Sequence, residues 1–157
     1  MKNLIAHKEL PRLLRKLHRR KSKIVFTNGV FDIIHRGHVN YLSEAKKMGD
    51  VLIVGLNSDI STRRLKGARR PIFKQIDRAA VLLALAAVDF VVIFSEDTPA
   101  KLIEKIKPDV LVKGADYKLS EIAGAAFVKA RGGRVRRIKL TAGRSTTAAL
   151  KKLKLNG

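Results

Sequence analysis

The sequence predicts an α/β fold, a single doubly wound domain built on a mostly parallel sheet of about five strands, and three observations carry that expectation. Short β-branched segments alternate with stretches of helical periodicity along the whole chain. Residues 50–56 are almost continuously apolar, as a parallel strand covered on both faces should be. The first such strand also runs directly into a glycine-bearing turn and then a helix. At 157 residues the chain fits one domain, 1–157, with an N-terminal helical extension over 1–22 and an α/β core over 23–157.

Taken in order, residues 9–20 set Leu10, Leu13, Leu14 and Leu17 at helical spacing with basic residues between them, which predicts an amphipathic surface helix. Pro11 falls in its first turn, where a missing N–H is tolerated. Residues 23–27 are short and β-branched and lead into Asn28-Gly29, the pattern of a strand leaving a core. A helix over 38–48 and a strand over 50–56 complete a β-α-β unit. The polar connection 57–71, with Arg63, Arg64, Lys66, Arg69 and Arg70, is longer than an ordinary turn, and such loops bind something or move. A helix over 74–87, a strand over 89–94, a helix over 99–106 and a strand over 110–112 follow. A helix over 119–130, a strand over 135–140 and a final helix over 145–155 complete a Rossmann-like alternation, without internal repeat or low-complexity linker.

Composition narrows the chemistry. There is no cysteine, so disulfides, thiolate catalysis and thiolate-zinc sites are excluded. The N-terminal stretch is charged throughout and nowhere do eighteen apolar residues run together, so no signal peptide and no membrane insertion are expected, and a cytoplasmic location is. Basic residues number 34 against 13 acidic, a formal charge of +21, with no acidic residue from Pro11 to Phe31 and none after Glu121. Such a surface attracts anions of every kind. Two tyrosines and no tryptophan leave few platforms for stacking bases, which favours nucleotide and sugar phosphate over nucleic acid while leaving nucleic acid open.

The residues that carry chemistry follow the first strand. Ligands of open α/β sheets bind at the carboxyl ends of strands, and a helix N-terminus there offers free amides to a phosphate. Gly29 permits close backbone approach, Gly37 lets the chain tighten into the helix, and His35 and His38, three apart, can point to one side of that turn. Together they predict a phosphate site with two titrating donors. The bland alternative is one solvated histidine and one that merely caps the helix. Such a site suits attack on the α-phosphorus of a triphosphate, because fixed donors can stabilise the charge that builds on the oxygens, at about 3 kcal/mol per donor. No covalent nucleophile is needed; positioning and electrostatics suffice.

The run Gly29-Val30-Phe31-Asp32-Ile33-Ile34-His35-Arg36-Gly37-His38 matches the His-x-Gly-His signature of the cytidylyltransferase-like superfamily. Asn57-Ser58-Asp59, Leu65-Lys66-Gly67, Arg70-Pro71, Glu96-Asp97-Thr98-Pro99, Val112-Lys113-Gly114-Ala115-Asp116-Tyr117 and Gly143-Arg144-Ser145-Thr146-Thr147 resemble its bacterial heptose 1-phosphate adenylyltransferase branch. That branch occurs as the C-terminal half of a bifunctional kinase/adenylyltransferase and as separate chains. The resemblance implies that His35 and His38 bind the triphosphate and stabilise the transition state, and that Asn28, Gly29, Val30, Phe31, Gly37, Lys113 and Gly114 meet the nucleotide. Ser145, Thr146 and Thr147 would meet the β and γ phosphates, a plain helix cap being the alternative. Lys46 would pair with phosphates, reaching back from about 12 Å along the helix, or would simply be solvated.

Acceptor contacts are expected from Asn57 and Asp59 at the end of the second strand, and from Arg78, whose alternative is a salt bridge. Asp32 and Asp116 sit at strand ends, where they would organise magnesium, the sugar or a base, or form turns. Ile76 stands where relatives carry an acidic residue, Ala68-Arg69 replaces an acidic-small pair, and Ala115 stands where glycine is common. The resemblance implies ATP and a sugar 1-phosphate, with heptose 1-phosphate expected, as substrates. ADP-sugar and pyrophosphate would be the products, feeding lipopolysaccharide, with magnesium on the triphosphate and a possible homodimer. The same core would serve glycerol phosphate cytidylylation or adenylylation of flavin mononucleotide, and a catalytically idle basic nucleic-acid-binding protein is the alternative outside enzymes.

Overall fold

The computed structural model describes Met1 and residues 3–139. Among them the chain runs α1 (Leu10–Arg19), β1 (Ile24–Gly29), α2 (Arg36–Lys46), β2 (Val51–Asn57), α3 (Asp59–Lys66), α4 (Gln75–Leu83), β3 (Phe90–Phe94), α5 (Ala100–Ile106), β4 (Val110–Gly114), α6 (Ala125–Ala130) and β5 (Arg134–Ile138), with a 3-10 turn at Leu119–Glu121. The five strands form one sheet in the order β3-β2-β1-β4-β5, and every pairing is parallel. The expected α/β class is therefore found, with the strand order reversing between β1 and β4.

Side-chain alternation explains why helices cover both faces. On β1, Ile24 and Phe26 join one buried cluster with Leu10, Leu14 and Leu17 of α1 and Leu102, Ile103 and Ile106 of α5. Val25, one residue out of phase, joins the other cluster with Leu42 and Ala45 of α2 and Ala79 and Leu82 of α4. The helical segment at the N-terminus is thus docked on the sheet through its leucine face. A side chain at Gly55 on β2 would lie 2.7 Å from the ring of Phe26, so glycine there is what lets that ring lie flat on the neighbouring strand. No helix among the described residues is long and apolar enough to cross a membrane.

Three expectations about elements are corrected. The 57–71 connection is not irregular throughout: it holds α3, capped by Ser58, whose hydroxyl accepts from the Ser61 amide at 3.2 Å. Only Ser61 and Thr62 of that helix are buried, so it lacks the apolar stripe that would betray it. The 119–130 helix is broken at Gly124, whose φ of +80° no continuing helix accepts. A side chain there would meet Ile103 at 2.7 Å. The 74–87 helix ends at Leu83. The expected helix over 145–155 lies outside the described residues.

Candidate active site

The carboxyl ends of β1, β2 and β4 open into one pocket of about 460 Å³, within the usual range for small-ligand sites. It lies at the strand-order reversal, where open α/β sheets leave a crevice between diverging loops. Asn28, Gly29, Val30 and Phe31 from the end of β1 line it, together with His38 of α2. Asp32, Asn57 from β2, Lys113 and Gly114 from β4, and Asp116 just beyond it complete the expected residues found there.

The turn after β1 is locked from several sides. A side chain on Gly29 would stand 3.0 Å from the Phe31 ring, so the bare glycine gives that ring its place. Phe31 itself takes a φ of +46°, a conformation that non-glycine residues adopt only when their surroundings hold them. Its ring meets His38 edge-on at 5.4 Å. His38 in turn stacks on His35 with ring centroids 4.0 Å apart. His35 is the N-cap of α2, and its Nδ1 accepts from the Gly37 amide at 3.1 Å. With that lone pair engaged, the ring proton of neutral His35 sits on Nε2. Gly37 thus serves the site through its amide.

Burial, and secondly the neighbouring His35 charge, pull the His38 pKa down to about 4, so free His38 is neutral at pH 7. Its Nδ1 is buried without a hydrogen-bond partner, and so is Oδ1 of Asn28 beside it. Two orphaned polar atoms at one pocket mark where a bound ligand would supply partners. Across the crevice, burial lowers Lys113 to about 8, opposed by the nearby Asp116 carboxylate. Its Nζ donates to the Asn28 carbonyl at 3.3 Å and lies 4.9 Å over the Tyr117 ring. A buried ammonium with so weak a set of partners is well placed to meet an anion.

Four expected site residues are placed otherwise. Lys46 lies at the amino end of the sheet, pairing with Asp89 at 2.6 Å and donating to the Asp50 carbonyl; it closes the helix that the histidines open. Arg78 is fully buried, donating to Val30 O at 2.6 Å, Phe73 O at 3.0 Å and Asp59 Oδ1 at 2.8 Å. It pairs with Asp59, whose carboxylate stays partly exposed, under the loops. Asp32 lines the pocket, yet its carboxylate is taken by Arg70 Nε at 2.6 Å and by the Ile72 and Phe73 amides. It clamps the 70–73 loop to the turn after β1. Ser145, Thr146 and Thr147 lie outside the described residues.

The pocket also contains residues that the sequence reading did not assign to the site. Tyr41 hydrogen-bonds Thr27 at 2.7 Å, and burial raises its hydroxyl pKa far enough to keep it protonated. Lys66 and Arg70 bring cations to the rim, Lys66 without an ion pair among the described residues. The signal for Lys66 was its place in the basic connection that follows β2; Lys46 was favoured for its helix, whose far end points away. Among the described residues no three of His, Asp and Glu converge to hold a metal ion.

The family model described as cytidylyltransferase-like matches residues 26–145. The chain is 60% identical over 134 residues to the bifunctional protein HldE of Campylobacter concisus (strain 13826), covering 85% of this chain and 28% of that protein. With the bifunctional protein HldE of Helicobacter pylori (strain Shi470) it shares 53% over 145 residues, 92% of this chain and 30% of the other. It therefore spans under a third of the length of these relatives. Among solved structures, a lipopolysaccharide core biosynthesis protein of Thermoplasma volcanium GSS1 superposes with a TM-score of 0.63 at 35% identity, over 76% of this chain and 97% of that one. A pantoate-beta-alanine ligase of Francisella tularensis gives the same TM-score at 15% identity, over 92% of this chain and 69% of the other, and shares the fold alone.

Proposed function

Since the chain belongs to the cytidylyltransferase-like family and is a nucleotidyltransferase, we propose that it transfers AMP from ATP to a sugar 1-phosphate, with heptose 1-phosphate as the acceptor. One observation carries the chemistry: the stacked His35 and His38 at the N-terminus of α2, with the buried, unpartnered Nδ1 of His38 beside the pocket. The choice of sugar is favoured by the HldE relatives and the lipopolysaccharide core biosynthesis protein.

In this reading the triphosphate lies over the α2 N-terminus, whose dipole favours anions. An oxygen of the acceptor phosphate attacks the α-phosphorus, the bond from that phosphorus to the bridging oxygen breaks, and pyrophosphate departs with the electron pair. His35 and His38 donate N–H groups to the oxygens that gain charge, and the anion itself raises the His38 pKa toward the charged form. Lys113 and Lys66 offset the remaining phosphate charge. Magnesium enters the proposal as the ion carried on ATP; the described residues form no cage of their own for it, so no step is derived through it. A homodimer belongs to the same proposal, on the exposed apolar side chains Ile72, Phe73, Ile76 and Val81, and sedimentation gives its mass.

The test is pyrophosphate release with each of ATP, CTP, GTP and UTP against heptose 1-phosphate, glycerol 3-phosphate and flavin mononucleotide. Turnover confined to ATP with the heptose is expected, with His38→Ala lowering it by about a hundredfold, one lost donor. Turnover with another pair would move the substrate and keep the chemistry. No turnover with any pair would overturn the reading.

A further inference from the structure

The proposed reaction needs a place for the acceptor, and the residues first expected to make it are already committed: Arg78 to Asp59, and Asp32 to the 70–73 loop. If the nucleotide takes the crevice between β1 and β4, the acceptor is left the wall built by the carboxyl ends of β2 and β3. That wall presents to the pocket polar atoms that no described residue engages. Arg70 gives Nε to Asp32, and neither of its outer nitrogens has a hydrogen-bond partner among the described residues. Asp97 Oδ1 accepts from Arg64 Nε at 2.8 Å, and its Oδ2 is unpaired among the described residues. Thr98 Oγ1 is likewise unpaired among the described residues, and Asn57 uses only Nδ2, toward Ser61 at 2.8 Å.

We propose that Asp97 and Thr98 read the hydroxyl groups of a polyhydroxylated acceptor while Arg70 holds its phosphate, an inference that rests on the reaction proposed above. Three oxygen acceptors and one forked cation on a single wall suit vicinal hydroxyls beside a phosphate. A flat aromatic acceptor such as a flavin finds no ring to stack on there, since the apolar side chains on this wall are Leu65 and Pro99. Arg70 is held in place before anything binds, whereas Asp97 stands at the open rim with its side chain 76% exposed. Arg64 donates to both Asp97 and the Ser95 carbonyl, Ser95 Oγ bonds Ser58 Oγ at 2.9 Å, and Asp32 fixes Arg70 with both side chains mostly out of solvent. Fixed donors and acceptors lose little freedom on binding, which is how a polar wall discriminates between similar polyols.

The experiment is steady-state kinetics of the full chain with Asp97→Asn and Thr98→Val, reading KM for the sugar 1-phosphate and for ATP separately, with melting curves of each variant. Each variant is expected to raise the acceptor KM about tenfold or more, the loss of a hydrogen bond to a charged or buried group, with ATP KM and melting unchanged. An acceptor analogue lacking the contacted hydroxyl should show no further loss in the variant. Wild-type turnover on a sugar phosphate combined with an unchanged acceptor KM in both variants would overturn this assignment and leave the reaction standing. Absence of wild-type turnover on every sugar phosphate would remove the reaction and this assignment with it.

Discussion

At the scale of single residues, the site works through side chains whose charge the fold disfavours. His38 has its ordinary pKa of 6.5 drawn down to about 4 by burial and then by His35. The unfolded chain therefore binds a proton between these values that the folded chain refuses, so stability is full above pH 6.5 and falls as pH drops toward 4. Thermal melts from pH 7 to 4 should show that loss in wild type and a flatter profile in His38→Gln; parallel profiles would mean the ring is not buried neutral. Lys113 is the same case at higher pH. Its charge is disfavoured by burial, so the cost is present below pH 8 and fades as pH rises toward 10.5. Lys113→Met should stabilise the free protein at pH 7 by on the order of 1–3 kcal/mol and raise the nucleotide KM tenfold or more. A variant less stable than wild type would refute the buried-charge account. The histidine turn was legible because motif and position coincide from Asn28 to His38. Lys46 stands away from the pocket, and the partners that engage Asp32 and Arg78 were not legible, because a charge's partner is set by tertiary contacts that spacing along the chain does not carry.

Among the elements, those with an apolar periodicity were readable and those held by polar contacts were not. The strands announced themselves by β-branched runs, and α1 by Leu10, Leu14 and Leu17. By contrast α3 hangs on the Ser58 cap, on Ser61, and on Asp59 held by Arg78. The same guanidinium reaches Val30 O after β1 and Phe73 O before α4, so one side chain fixes three segments around the pocket. Arg78→Met should consequently cost about 1–3 kcal/mol, since it leaves the Val30 and Phe73 carbonyls without their donor. Chemical denaturation would read that loss. An Arg78 serving only as a phosphate ligand would instead leave the unfolding midpoint in place and raise the acceptor KM, which the burial and the three bonds argue against.

For the whole molecule, the charge of +21 now has part of a structural account. Cations stand in the last turns of helices, Lys16 and Arg19 in α1, Lys105 in α5 and Lys129 in α6, where they complement the negative ends of helix dipoles. Asp59 and Asp77 do the converse in first turns. Yet only six ion pairs form among the described residues, so most of the positive charge is unpaired and repels itself. The same field draws phosphates toward a pocket that carries Lys66, Arg70 and Lys113. Screening should then act on stability and on substrate capture with opposite signs. Raising salt from about 0.05 to about 0.5 M shortens the screening length to a few ångström. The melting temperature should rise as self-repulsion is screened, while KM for ATP climbs several-fold and kcat holds, since the reacting groups lie inside the pocket. Melting curves and initial rates on one salt series would show both trends; a melting temperature that falls with salt would mean the excess charge is compensated within the fold and is not a source of strain.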